Sequence, residues 1–347
     1  MGDKMKHEVD LKNYTIRTDL ALESIENNSI DKIKQEFESI GDIKVTTTYL
    51  DEKNGKKIDK KEGIYITIEF EDVTDHNNLL NVEKVFSDKL NFILEKENIK
   101  EDDLGLIIGL GNEHSTPDAL GPLVIDKIIV TNPLYIYGDL EDGYRRVCAI
   151  SPGVTGETGI ETSDFIKYII DCVKPKFVIV IDALASGSIE RVNKTIQMTD
   201  TGIAPGSGIG NKRKEVSKEL YGIPVIAIGV PTVVDAITIV ADTIKYMQKQ
   251  YTYSKQNSTK PKSRLILSHQ SNYLKTKIEE NKEDNKQLLG LVGGLEDAEI
   301  KQLLFEVLTP IGYNFMVTPK EVDFVMEKLS EVIGEGINHA LHKAMKD

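Results

Sequence analysis

Two aspartates stand next to short apolar segments, where they could act together as catalytic carboxylates. Asp118 follows the turn in GLGNEHSTPDALGP, residues 109–122, and Asp182 follows the apolar run FVIVI. If both segments leave parallel strands, the two side chains emerge at the same edge of the sheet. Repulsion between nearby carboxylates raises one pKa, so that the pair shares a proton. Such a pair can activate water and protonate a leaving nitrogen without a metal, which is the chemistry of hydrolysis.

Other interpretations of these aspartates remain open. Asp118 precedes Ala119 after a Thr-Pro pair, which is typical of a helix N-cap, and Asp182 could cap a helix or close a turn. Asp118, Asp182 and His114 could also bind a metal, because carboxylate oxygens and imidazoles are common metal ligands. Neither GxSxG nor HExxH occurs in the chain.

A glycine-rich segment, TDTGIAPGSGIGNKRK at residues 199–214, offers a candidate substrate contact. Backbone N–H groups at Gly206 and Gly208, with Lys212 and Arg213, could bind an acidic side chain or the backbone of an extended peptide. The segment matches neither phosphate-loop signature in frame. Its structural alternative is a tight loop that needs positive φ angles. We predict that these four residues bind substrate.

The elements that would position these residues alternate between strands and helices. Four apolar runs are typical of strands buried on both faces: LGLIIGL, RVCAI, FVIVI and IPVIAIGV. Residues 162–173 and 236–249 between and after them have helical patterns. This alternation predicts an α/β fold with a mostly parallel twisted sheet and helices on both faces. Residues 43–50 and 64–70 alternate and predict an added hairpin or subsidiary sheet with a long charged tip.

The remaining segments complete the predicted organisation. Helical spacing predicts helices at residues 24–40 and 79–99 and a helical C-terminal section at residues 302–309 and 320–346. The strongly polar residues 251–286 predict a surface insertion or a flexible linker.

Composition limits the classes of partner. The 347 residues carry a net charge of −13, which argues against general binding to nucleic-acid phosphates. The same charge would suit a basic protein partner, so a non-catalytic acidic binding protein is an alternative function. No apolar run is long enough to span a membrane, and the first twenty residues are too polar for a secretory signal. Cys148 and Cys172 lie far apart, which favours reduced thiols in the cytoplasm.

Several long motifs resemble the germination protease family of spore-forming bacteria. They are YTIRTDLALE (14–23), GLGNEHSTPDALGP (109–122), VIDALASGSIERVNKTIQMTDTGIAPGSGIGNKRKEVSKE (180–219), GIPVIAIGVPTVVDAITI (222–239) and LLFEVLTPIGYNFMVTPKEVD (303–323). The resemblance implies an endopeptidase that starts the degradation of small acid-soluble spore proteins at germination. It further implies a zymogen, a homotetramer and a location in the cytoplasm of the forespore and spore core.

The resemblance also implies the chemistry. Family members resemble atypical aspartic proteases, and the positions that match their two aspartates are Asp118 and Asp182. No cofactor is expected. The implied fold is similar to that of hydrogenase maturation endopeptidases, which act around a metal. That similarity retains a metal-assisted endopeptidase as the alternative mechanism.

The segment IRTDLALE, residues 16–23, has two interpretations, one from its local pattern and one from the family resemblance. By local pattern it is a helix start, with Thr18 or Asp19 as N-cap and Leu20 beginning the apolar face. The family cuts after an acidic and before an apolar residue, in a motif that continues with Ala and a later acidic residue. The segment is then a copy of the substrate motif. This predicts cleavage between Asp19 and Leu20, a propeptide at residues 1–19 and a single peptidase domain at residues 20–347.

Two positions depart from the family pattern. An aromatic residue is usual between the Gly-Asn and Thr-Pro-Asp pieces, where this chain has Glu113, His114 and Ser115. A basic residue is usual shortly after the second aspartate motif, where this chain has Gly187. Both departures leave the aspartates in place and affect the expected substrate contacts.

Overall fold

The structure, a computed structural model, describes residues 18–28, 30, 33–204, 214–258, 282–308 and 315–345. Its described residues divide into two compact units. The larger unit lies within residues 17–233 and 318–347, and the smaller one lies within residues 234–317.

The strands of the described chain join one mixed sheet. They are β1 Lys34–Ile40, β2 Ile43–Leu50, β3 Gly63–Glu69, β4 Gly105–Gly109, β5 Val147–Ile150, β6 Phe177–Ser186, β7 Thr195–Thr199, β8 Val225–Asp235 and β9 Met316–Val317. Their order is β1-β2-β3-β7-β8-β6-β4-β5, and β9 pairs with the last two residues of β8. Strand β4 pairs in parallel with both β5 and β6, whereas β1, β2, β3, β7 and β8 pair antiparallel in succession. The predicted α/β fold is confirmed, and the predicted hairpin β2–β3 is part of this same sheet.

The helices follow the predicted alternation. They are α1 Ala21–Asn27, α2 Glu52–Ile58, α3 His76–Lys96, α4 Leu120–Ile125, α5 Asn132–Tyr137, α6 Thr155–Thr158, α7 Thr162–Val173, α8 Lys218–Tyr221, α9 Ala236–Ser258, α10 Lys282–Leu289, α11 Asp297–Leu308 and α12 Val322–Leu341. Short 3-10 turns occur at Thr116–Asp118, Val292–Gly294 and Lys343–Met345. Every described helix is too short or too polar to cross a lipid bilayer.

The core of the larger unit lies on both faces of the parallel strands. Ile179 and Ile181 of β6 belong to the cluster that α3, α4 and α12 cover, whereas Val178 and Val180 belong to the cluster that α7 covers. This division follows from the two-residue period of a strand, whose successive side chains point to opposite faces. A strand covered on both faces must be apolar throughout, which is why FVIVI reads as a continuous apolar run.

The predicted helix at residues 24–40 is wrong over residues 34–40. Helix α1 ends at Asn27, and residues 34–40 form β1, which pairs with β2 along its whole length. A two-residue turn joins the strands, and its first residue, Gly41, has a φ of 59°. Such a turn favours a hairpin because its twist matches that of the strands. The helical spacing that includes Phe37 is coincidental, since that side chain is 73% exposed.

The charged connection after β2 is also more ordered than predicted. Helix α2 occupies most of it, and Asp51 caps that helix by accepting a hydrogen bond from the Asn54 N–H at 2.7 Å. Ile58 at the end of α2 is buried with Leu50 and Tyr65. The Asn-Gly pair therefore lies inside a capped helix and does not form the tip of a hairpin.

The polar segment predicted at residues 251–286 is helical at both ends. Helix α9 continues to Ser258, and α10 begins at Lys282. Residues 259–281 lie outside the described residues.

Candidate active site

The carboxyl end of β4 lies beside the middle of β6, next to the segment that carries Asp182. The strands are parallel, with Gly109 opposite Ile181. Beyond this pair, the Leu110 N–H donates a hydrogen bond of 2.8 Å to the Ile181 carbonyl oxygen. Asp182 is the next residue of β6, and the loop after Leu110 leads to Asp118. The expected parallel pairing of the two strands is confirmed, and the meeting of the two carboxylates stays a prediction.

Asp118 is held at the end of the Thr116–Asp118 turn. The Asn112 N–H lies 3.0 Å from Asp118 Oδ2 and 3.1 Å from its carbonyl oxygen. The Thr232 hydroxyl donates a hydrogen bond of 2.6 Å to the carbonyl oxygen of Pro117, and the turn contacts β6. The predicted N-cap role is wrong, because Ala119 occupies the N-cap position of α4 without a side-chain hydrogen bond.

Asp182 lies inside β6, which continues to Ser186. Its predicted position after the strand is therefore wrong, because the strand extends four residues beyond it. Its side chain is 6% exposed, and Oδ1 accepts a hydrogen bond of 2.9 Å from the Ala183 N–H. A nearly buried carboxylate beside the carboxyl end of a neighbouring parallel strand is a candidate catalytic group in an α/β sheet.

The other predicted ligands are not assembled with these aspartates. His114 is exposed, and its Nε2 lies 3.6 Å from the carboxylate of its neighbour Glu113. Within the described ranges, no three histidine, cysteine, aspartate or glutamate side chains form a cluster that could hold a metal ion. The predicted substrate contacts Gly206, Gly208, Lys212 and Arg213 lie outside the described residues, so they stay a prediction.

The leader segment, residues 18–23, binds β6 through Asp19. The Asp19 N–H donates a hydrogen bond of 3.0 Å to the Ala185 carbonyl oxygen, and Asp19 Oδ2 accepts one of 2.9 Å from the Ala185 N–H. Ala185 is three residues after Asp182 on the same strand. The segment that matches the substrate motif therefore lies on the strand that carries one of the two candidate aspartates.

The predicted helix start in this segment is confirmed, but its predicted cap is wrong. Helix α1 begins at Ala21, and Leu20 is its N-cap residue. The Thr18 hydroxyl accepts a hydrogen bond of 3.0 Å from the Leu20 N–H. Asp19 directs Oδ2 of its carboxylate to the Ala185 N–H of β6. The backbone from Thr18 to Leu20 thus precedes the helix and is accessible to partners from other elements.

Two side chains contact the carbonyl group of Asp19. Lys60 Nζ lies 3.0 Å from the Asp19 carbonyl oxygen, and Gln197 Nε2 lies 3.3 Å from it. The same Gln197 side chain accepts a hydrogen bond of 2.7 Å from the Ala21 N–H through Oε1. Its carboxamide therefore spans the bond between Asp19 and Leu20. Two donors on one carbonyl oxygen can stabilise the negative charge that develops there when the peptide bond is attacked.

Lys60 has an unusual electrostatic environment for a lysine. The residue is only partly buried, but its ammonium group faces inward towards the carbonyl oxygens of Thr18 and Asp19. This burial lowers the pKa of Lys60 below its ordinary value, and the charges of Asp19, Asp59 and Glu23 offset part of that effect. Desolvation disfavours the charged form of an amine, so folding with a protonated Lys60 carries a cost.

That cost predicts that the difference in the free energy of unfolding between the wild type and a Lys60→Met variant depends on pH. Between the lowered pKa and the ordinary value of 10.5, the unfolded chain keeps the proton that the folded chain has lost. The free energy of unfolding of the wild type should therefore rise relative to that of the variant as pH increases from the lowered pKa towards 10.5. The gain is about 1.4 kcal/mol for each pH unit of this window.

Urea unfolding of both chains at several pH values measures this difference. The matched control is Lys53→Met, on the exposed side of α2, which should show no such trend. If the free energies of unfolding of the wild type and Lys60→Met differ by the same amount at every pH, the ammonium group is not buried.

Sequence reasoning did not find Lys60 or Gln197. Lys60 belongs to a charged run that is typical of a solvated loop, and its environment depends on Thr18 and Asp19, which lie more than forty positions away. The sequence does mark Gln197 as unusual, because it is a polar residue between Ile196 and Met198 in a buried strand. A buried amide needs hydrogen-bond partners, and here they belong to the leader segment.

Comparison with known proteins gives the family. The family model described as germination protease matches residues 9–347. A germination protease of Geobacillus sp. (strain WCH70) is 44% identical over 360 residues, which cover 98% of this chain and 97% of that protein. The germination protease of Bacillus thuringiensis subsp. konkukian (strain 97-27) is 47% identical over 355 residues, with 97% and 96% coverage.

Among solved structures, a [NiFe] hydrogenase maturation protease HycI from Thermococcus kodakarensis KOD1 matches 40% of this chain and 80% of its own. Its sequence identity is 18% and its TM-score is 0.26, so this likeness is too weak to assign a shared fold. The family model and the sequence relatives, in contrast, cover nearly the whole chain. The chain therefore belongs to the germination protease family.

Proposed function

We propose that this peptidase of the germination protease family is made as a zymogen that cleaves its own chain between Asp19 and Leu20. The processed enzyme then begins the degradation of small acid-soluble spore proteins during germination. Asp118 and Asp182 activate the attacking water. The observation that carries the proposal is the contact of the leader segment with β6, the strand of Asp182, with Lys60 and Gln197 on the carbonyl oxygen before the bond.

The proposed hydrolysis uses both aspartates and the contacts of the leader. One carboxylate removes a proton from water, and the other donates a proton to the leaving nitrogen of Leu20. This division of roles requires one carboxyl group to carry the proton, as in pairs of carboxylates that share one proton. Lys60 and Gln197 hold the carbonyl group of Asp19 and stabilise its developing charge. The metal-assisted alternative gains no support from His114, which is exposed and pairs with Glu113.

Further features of the proposal come from the family resemblance. The active enzyme is a homotetramer in the cytoplasm of the forespore and spore core, its propeptide is residues 1–19, and it needs no cofactor. Size-exclusion chromatography with light scattering tests the assembly independently of activity. A processed chain that elutes as a monomer would contradict the tetramer.

Incubation of the purified chain with a small acid-soluble spore protein tests the activity. Amino-terminal sequencing of the products should give new termini that begin with an apolar residue preceded by an acidic one in the substrate. The rate should be the same with and without a chelator. Activity that the chelator abolishes and a divalent metal restores would favour the metal-assisted mechanism. A stable complex without new termini would favour the acidic binding protein.

A further inference from the structure

Thr232 stands on a face of β8 that is otherwise apolar. Ile226, Ile228 and Val230 precede it at two-residue spacing, and they belong to the core cluster that also holds side chains of α3, α4 and α12. Because successive side chains of a strand point to opposite faces, Thr232 continues this apolar face. It is fully buried, and a buried hydroxyl is costly unless it has a hydrogen-bond partner. A threonine at this position therefore needs an acceptor, which a valine of similar shape would not need.

The acceptor is the carbonyl oxygen of Pro117, the residue before Asp118. The Thr232 hydroxyl donates a hydrogen bond of 2.6 Å to this oxygen. The other end of the same peptide unit is the Asp118 N–H, which donates a hydrogen bond of 2.7 Å to the Ser115 carbonyl oxygen. A peptide unit is planar, so hydrogen bonds at both ends fix the orientation of its plane. The direction in which the Asp118 side chain leaves the backbone depends on that plane.

The backbone around Thr232 is itself held at two points. The Pro231 carbonyl oxygen accepts a hydrogen bond of 2.7 Å from the Asn193 N–H. The Thr232 carbonyl oxygen accepts one of 2.9 Å from the Thr318 hydroxyl. The two donors come from separate segments of the larger unit, one before β7 and one before α12. A side chain on a strand that is anchored in this way can hold a loop more precisely than a side chain on another loop.

We propose that Thr232 is a positioning residue for hydrolysis, whose hydroxyl holds the peptide unit between Pro117 and Asp118 in the orientation that catalysis needs. The Asn112 N–H, 3.0 Å from Asp118 Oδ2, then orients the carboxylate itself. Thr232 acts through the backbone of the Asp118 loop. This role rests on the proposed part of Asp118 in hydrolysis. A catalytic group must be held within about 0.5 Å of its productive position, so loss of this anchor should slow the reaction.

Three substitutions of Thr232 separate the effect of its hydroxyl from the effect of its volume. Thr232→Ser keeps the hydroxyl, Thr232→Val keeps the shape without the hydroxyl, and Thr232→Ala keeps neither. Self-cleavage of the full chain, measured as the appearance of a terminus at Leu20, should slow by about tenfold or more in the Val and Ala variants. It should slow by less than about threefold in the Ser variant, which can still donate to the Pro117 carbonyl oxygen. Equal rates for the Ser and Val variants, or rates that follow side-chain volume, would overturn the proposal.

Thr195→Val is the matched control for the loss of a buried hydroxyl. Thr195 of β7 is also fully buried, and its hydroxyl has no hydrogen-bond partner within the described part of the chain. The substitution therefore removes no hydrogen bond, and the self-cleavage rate should stay within about twofold of the wild type. A loss as large as that of Thr232→Val would show that any such change in the sheet slows the reaction, which would also overturn the proposal.

Turnover of an external peptide separates positioning from substrate binding. Prolonged incubation gives the processed form of each chain, and a peptide with the sequence of residues 16–28 is the substrate. Thr232→Val should lower kcat by about tenfold and leave KM within about twofold, because the hydroxyl orients a carboxylate and does not bind the peptide. A raised KM with an unchanged kcat would overturn the positioning role. An Asp118→Asn chain that cleaves as fast as the wild type would instead overturn the proposed function on which this role depends.

Discussion

Asp182→Asn is expected to stop hydrolysis while the fold stays intact. The substitution keeps the size of the side chain, and its amide oxygen can still accept the hydrogen bond from the Ala183 N–H. It removes the group that exchanges a proton with water or with the leaving nitrogen. Loss of one acid–base partner lowers rates by about 100- to 10,000-fold. Cleavage of a small acid-soluble spore protein, followed by mass spectrometry, measures the rate, and a thermal melt checks the fold.

Asp200→Asn is the matched control for this substitution. Asp200 directly follows β7, whose last residue Thr199 pairs with Ala227 near the start of β8. It therefore lies towards the opposite end of the sheet from Asp182, because β6 and β8 start side by side. Its carboxylate also accepts a backbone hydrogen bond, from the Ile64 N–H at 2.8 Å. An Asp182→Asn chain that cleaves at the rate of the control would remove Asp182 from the mechanism.

Gly111→Ala is expected to displace Asp118 and to abolish most activity. Gly111 has a φ of 115°, where a residue with a side chain is strained. A Cβ atom at this position would lie 1.9 Å from the Asp118 carbonyl oxygen and 3.4 Å from its Cγ. A backbone oxygen cannot move aside cheaply, so the loop that carries the carboxylate must shift. The expected cost is about 1–3 kcal/mol of unfolding free energy, with a rate loss of roughly 100-fold from a misplacement of about 1 Å.

Gly156→Ala is the matched control, because it replaces a glycine by alanine where no close contact results. A Cβ atom there would meet no heavy atom within 4 Å, and the residue is exposed in α6. Its activity and melting temperature should match those of the wild type. If Gly111→Ala behaves in the same way, the close contact between Gly111 and Asp118 does not determine the position of the carboxylate.

The sequence was sufficient to predict that the apolar segments before the two aspartates are parallel strands of one sheet. The apolar runs before Asp182 and before the Asp118 loop are buried on both faces. A strand buried in this way is a continuous apolar run, which is recognisable in the sequence without knowledge of its tertiary contacts. Parallel pairing then makes the chain leave both segments in the same direction along the sheet. The strand boundaries were less predictable, because β6 extends to Ser186 through residues whose burial depends on distant segments.

The contacts around the leader could not be predicted from local pattern. Lys60 and Gln197 meet at one carbonyl oxygen although 137 positions separate them in the chain, and each belongs to a segment with a simpler local interpretation. The hairpin of β1 and β2 illustrates the same limitation, since pairing with β2 determines the structure of residues 34–40 more than their helical spacing does. Tertiary contacts decide such positions, and a single sequence does not record them.

Amino-terminal sequencing of the wild-type chain after incubation, beside an Asp182→Asn chain under the same conditions, tests the central claim most directly. The claim predicts that the wild type begins at Leu20 and that the variant keeps its original terminus. A wild-type chain that begins at another residue would contradict the assigned bond. A variant that also begins at Leu20 would contradict self-cleavage by the aspartate pair.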